Sequence, residues 1–120
     1  MNPGDAMKKL IIALACGAFS LSAFAGGDPA RGAEVARKYN CASCHGADYK
    51  TPIDPSYPKL AGQHADYLAH SLSAYKRGDK VMNGRNNAIM AGMAQPLSDK
   101  DMADVAAYLH GLPGPLVVRK

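Results

Sequence analysis

Cys41, Cys44 and His45 are the residues whose types and spacing most plainly amount to chemistry. Two thiols three positions apart on one helical turn can each add to a vinyl group of a single porphyrin, and the imidazole that follows at once is set to ligate its iron. That is the attachment pattern of c-type haem. A thiol pair of this spacing also serves dithiol redox chemistry or half of a zinc site. A zinc ribbon needs a second ligand pair, and no cysteine follows Cys44. A thioredoxin-type motif belongs in a βαβ setting, whereas the flanks here read as helix and loop. Haem carries the most weight, with His45 as proximal iron ligand. Pro58 has a carbonyl and no N–H, so it is an acceptor for the second ring nitrogen of that histidine.

A sixth ligand is sought among the methionines. Met82, Met90 and Met93 crowd a polar, glycine-rich stretch over residues 78–96, and a thioether that completes the coordination raises a haem's potential. The competing use of each is filling gaps beneath a loop. Met102 lies at core spacing in the last helix and reads as packing. His64 and His70 are conceivable rival iron ligands, but the apolar face set by Tyr67, Leu68 and Leu72 places both toward its edges or solvent, and His110 receives no role.

The elements that must position these residues follow from local signals. Asp28 as N-cap and Pro29 at the first helical position start a helix over residues 30–39, in which Gly32 and Ala36 form a stripe of small side chains. Pro52, Pro55 and Pro58 make residues 48–59 an extended loop. A helix follows over residues 63–77, with Tyr67, Leu68, Leu72 and Tyr75 on one face and Gly78 as its stop. Residues 78–96 read as irregular. Ser98 and Asp101 form a capping box for a last helix whose buried stripe is Met102, Val105, Ala106 and Leu109, ended by Gly111 and Pro113. No strand signal appears, so the fold class is all-α.

Lys8 and Lys9, an apolar run over residues 10–22 and Ala23-Phe24-Ala25 read as a cleavable secretory signal over residues 1–25, starting at Met1 or Met7. The run is short for a membrane span, and Cys16 leaves with it unless that cysteine carries a lipid. Residues 26–112 then form the domain and 113–120 a loose tail. Beyond residue 25 there is no Phe and no Trp, only six Tyr. A chain this short buries limited apolar area, and a porphyrin supplies the missing large, flat filler. That segment keeps 12 basic and 9 acidic side chains, a net charge of +3. This excludes a nucleic-acid footprint and gives at most weak steering toward an acidic redox partner.

Taken together, Cys41-Ala42-Ser43-Cys44-His45-Gly46, Tyr57-Pro58-Lys59-Leu60-Ala61-Gly62-Gln63, Tyr67-Leu68, Ile89-Met90-Ala91-Gly92-Met93, Leu97-Ser98-Asp99 and Ala106-Ala107-Tyr108 resemble a monohaem class I cytochrome c, near the c4 and c553 group. The resemblance implies a small class I fold around one covalent haem c, with Met90 as distal iron ligand and Met93 as its rival. It implies that Pro58 accepts from His45, that Arg85 lies near a haem propionate, and that the first and last helices cross at Gly32 and Tyr108. Two departures stand out: Ser71, where the group often has Gln, and a single haem motif where c4 proteins have two domains. The function implied is a periplasmic electron carrier and not an enzyme. It would serve a respiratory chain and exchange electrons with a membrane cytochrome complex or terminal oxidase. It would be monomeric or weakly dimeric and at most peripheral to the membrane. The rivals are a haem module of a larger complex and an open-site gas sensor or peroxidase-like protein.

Overall fold

The computed structural model describes residues 26–115; the expected signal segment and residues 116–120 of the tail lie outside them. Among the described residues there are five helices and no strand: α1 (Pro29–Lys38), α2 (Ala42–His45), α3 (Ala65–Arg77), α4 (Ala88–Ala94) and α5 (Asp99–Gly111). The start signals act as their chemistry dictates. The Asp28 carboxylate accepts from the amides of Ala30 and Arg31. Ser98 accepts from the Asp101 amide while the Asp101 carboxylate accepts from Ser98, so both sides of the capping box are made. Two expectations are corrected. The third helix starts at Ala65, with His64 as its extended N-cap residue. The stretch expected to be irregular contains α4, capped by Asn87.

The core lies where α1 crosses α5 and α3 leans on α5. Val35, Ala36, Leu68, Met102, Val105 and Leu109 are buried in one cluster. At the crossing the helices meet backbone to backbone: a Cβ on Gly32 would run into the Asp104 carbonyl and stand 2.8 Å from the Tyr108 Cβ. The meeting of Gly32 with Tyr108 is as the resemblance implied. Tyr108 in turn meets the buried Tyr49 edge to face, with ring centroids 5.9 Å apart. Burial pushes the Tyr49 phenol up to about 12.

The crossing also holds a charge that the hydrophobic pattern did not reveal. Asp104 is fully buried. It accepts from the Asp28 amide at 2.7 Å and from Arg31 Nε at 2.8 Å, and Lys100 Nζ stands 3.1 Å away. Arg31 reaches Asp101 as well, at 2.7 Å. Burial by itself raises the Asp104 pKa, but the Asp28 amide, Lys100 and Arg31 outweigh it and hold the carboxyl below the usual range.

A folded-state pKa below the unfolded value means stabilisation that is present above about pH 4 and lost as pH falls through the folded value. Asp104→Asn is therefore expected to flatten the acid limb of a stability-versus-pH curve, measured by guanidinium unfolding between about pH 6 and 3. Gly32→Ala forces the crossing apart and is expected to lower stability by about 1–3 kcal/mol, read as a lower denaturation midpoint at unchanged slope.

Candidate haem site

The thiol pair is delivered by the way α1 ends. Asn40 takes a left-handed conformation with φ of 55°, which Asn tolerates better than most residues. Its amide donates to the Arg37 carbonyl at 3.1 Å, and the Cys41 amide donates to that of Ala36 at 3.0 Å. This is the double closure of a Schellman motif, and the residue it sets in place is Cys41. The single turn of α2 follows, with the His45 amide on the Cys41 carbonyl at 3.1 Å. Cys41, Cys44 and His45 thus share one turn. Cys41 packs on the core, and burial pushes its thiol pKa up, with a smaller raise from Cys44. Both thiols are free.

His45 is buried, and its Nδ1–H donates to the Pro58 carbonyl at 2.9 Å. The carbonyl fixes the tautomer and the ring angle and leaves Nε2 as the ring's lone-pair donor. The proline loop that brings this carbonyl round is folded by its own side chains. The Asp48 carboxylate accepts from the amides of Lys50 and Thr51, and that of Asp54 from Ser56, turns typical of Asp in such positions.

Beside His45 lies a cavity of about 260 Å3. Cys44, His45 and Pro58 contribute to its wall, α3 adds Leu68 and Leu72, and α5 adds Leu109. Of the other residues expected from sequence, Arg85 and Met90 line it too, whereas Cys41 does not and packs on the core instead. Met82 and Met93 do not line it, and they are 99% and 36% exposed. His64 and His70 are exposed and stand off the cavity. His110 donates from Nδ1 to the Gln63 carbonyl at 2.8 Å, with its ring 6.5 Å from that of His64. Among the described residues no three His, Cys, Asp or Glu side chains converge as a metal-ion group.

Sequence reasoning missed three contributors. Tyr57 and Leu60 line the cavity from the proline loop. Asn87 accepts from the Met90 amide at 2.9 Å, and the signal available for it was an N-cap residue type just ahead of the methionine. Arg85 Nη2 donates to the Tyr67 hydroxyl at 3.2 Å, and this bond holds that phenol below its usual range.

A thiol pair and a histidine on one turn, at an apolar cavity that also carries a thioether, fit a flat apolar cofactor with a metal at its centre. Tyr67 and Ile89, both large and about half exposed, border the same cavity and give such a group apolar surface to cover. This fold and site define a covalently attached haem protein.

Comparison with known proteins gives the family. The family model described as Cytochrome c matches residues 29–113, and the chain belongs to the cytochrome c family. Cytochrome c-554(548) of Halomonas halodenitrificans is 50% identical over 68 residues, 57% of this chain and 78% of that protein. Cytochrome c4 of Pseudomonas aeruginosa is 40% identical over 104 residues, 85% of this chain and 47% of that one. The crystal structure of reduced recombinant cytochrome c4 from Pseudomonas stutzeri superposes with a TM-score of 0.63 at 36% identity, covering 75% of this chain and 48% of that chain. The chain thus spans about half the length of the cytochrome c4 proteins it matches. Membership of the family implies an electron carrier with covalently bound haem c. Among the described residues no helix is long and apolar enough to cross a membrane.

The buried bond between His45 and Pro58 is expected to slow exchange of the His45 Nδ1 proton with water. The Nδ1 proton of His110, on an exposed ring, exchanges fast; nitrogen-edited NMR of the diamagnetic ferrous protein separates the two.

Proposed function

We propose that this chain is an exported one-electron carrier of a respiratory chain, with one haem c held between His45 and Met90. The observation that carries the reading is that Met90, alone among the methionines of residues 78–96, joins His45 on the wall of the apolar cavity. Haem bound there supplies a ferric/ferrous couple. Cys41 and Cys44 anchor it through thioethers, while His45, oriented by Pro58, offers Nε2. Met90 offers a soft sulfur that favours the ferrous state and raises the potential. With His45 and Met90 both holding the metal, the protein would keep small molecules from it, and a rigid ligand pair would keep reorganisation low. No acid, base or nucleophile is needed, so the chain acts as a carrier and not as an enzyme. The secretory signal read in the sequence over residues 1–25 supports a periplasmic site for this work. A membrane cytochrome complex or terminal oxidase is the partner class such a carrier serves, and a monomer or weak homodimer is the proposed assembly.

In the ferric protein, the weak far-red sulfur-to-iron absorption band is expected in the parent and in Met93→Ala, and absent in Met90→Ala. Loss of the thioether should also lower the reduction potential, on the order of 0.1 V, within the ≈ 0.8 V range that axial ligands control. A parent that lacks the band and whose ferrous form binds carbon monoxide readily has an open site, and the carrier reading then fails.

A further inference from the structure

The segment that carries Met90 leaves α3 at Gly78 and returns to it within seven residues. A Cβ on Gly84 would collide with the Gly78 carbonyl oxygen, so the loop closes on the end of α3 with no room for a side chain there. The next residue fastens it. The Arg85 amide donates to the Ala74 carbonyl at 3.0 Å. Its guanidinium lies 5.4 Å from the Tyr67 ring centroid and 5.5 Å from that of Tyr75, and Nη2 donates to the Tyr67 hydroxyl at 3.2 Å. Tyr67 and Tyr75 are about two turns apart on one face of α3, and one cation lies against both. Two residues further on, Asn87 holds the Met90 amide at 2.9 Å. At the far end of α4, Gln95 Nε2 donates to the Lys76 carbonyl at 2.9 Å.

We propose that Arg85 is a positioning residue for the distal ligand, acting through Tyr67 and Tyr75 to clasp the segment from Arg85 to Met90 onto α3 and so hold the thioether at the cavity. This differs from the propionate contact that the family resemblance implied, and it rests on the reading of Met90 as axial ligand. The guanidinium is a planar fork whose face and one donor are already engaged by protein. The three ion pairs among the described residues all lie at the α1–α5 crossing, so the clasp is made with aromatic groups and not with a carboxylate. Its action is on the equilibrium between a bound and a released thioether.

The test uses the ferric, haem-loaded protein at pH 7 and follows loss of the far-red band as imidazole is added, because the apparent affinity of an exogenous ligand reports the fraction of molecules with the sixth position open. Arg85→Gln is expected to bind imidazole about three- to tenfold more tightly than the parent, and Tyr67→Phe about threefold, the scale of one hydrogen bond. The double variant is expected to match Arg85→Gln, since two halves of one contact do not add. Arg85→Lys keeps the charge without the fork and is expected to resemble Arg85→Gln. Tyr67→Phe removes only a hydroxyl, so it tests the contact even where Arg85→Gln folds poorly. A silent Tyr67→Phe, or full rescue by Lys, overturns the clasp. If the band is present in the parent and lost in Met90→Ala while Arg85→Gln binds imidazole like the parent, the clasp alone falls. If the parent has no band, the axial reading falls and the clasp with it.

Discussion

The contact of α1 with α5 at Gly32 and Asp104 is the constraint from which the rest hangs. The described chain has no Phe or Trp, and at this crossing the two helices meet at backbone distance. Gly32 permits that approach. α1 ends in the Schellman closure at Asn40, which hands the chain to Cys41 and the turn that carries the thiols and His45. The same crossing fixes α5, whose Leu109 reaches the cavity and against which α3 packs. The buried Asp104 follows from the closeness. Its carboxylate takes an otherwise unpaired amide at the start of α1, and Arg31 and Lys100 meet its charge.

Local signals in the sequence carried far for the parts that local chemistry determines. The caps at Asp28 and Ser98 are decided by a side chain and an amide two or three residues away, and both were legible. The thiol turn was legible for the same reason. What lay hidden depends on residues distant in sequence. Asp104 sits in a stripe that periodicity treats as polar exterior, and only the Gly32 approach buries it. The helix α4 is seven residues long with Gly92 inside it, too short and too weak in propensity for a period to emerge. Composition could not rank Met82, Met90 and Met93, since the distinction is which of them reaches the cavity wall; family resemblance singled out Met90.

The two sides of the cavity are built by different physics. The His45 side is short-range and enclosed: one helical turn, a buried ring and a single hydrogen bond to a neighbouring loop. The methionine side is assembled from polar and aromatic contacts near the surface, the local bond of Asn87 to Met90 joined by the longer-range ones of Arg85 to Tyr67 and Gln95 to Lys76. Surface contacts of this kind are individually small and open first. The protein therefore has a firm proximal wall and a distal wall whose closure is a sum of modest contributions.

That asymmetry bears on how a chain this small serves a reversible couple. On the proposed reading a carrier gains from a coordination sphere that is the same in both oxidation states, and the turn of His45 would meet this through geometry that haem attachment cements. The distal side has no covalent link, so its constancy has to come from the chain. Tying the methionine segment to α3 at both ends, through Arg85 upstream and Gln95 downstream, limits the thioether to the freedom of one short helix on a longer one. Because α3 also presents Leu68 and Leu72 to the cavity, one helix sets both the apolar wall and the anchor of the methionine segment, and a displacement of either is felt by the other.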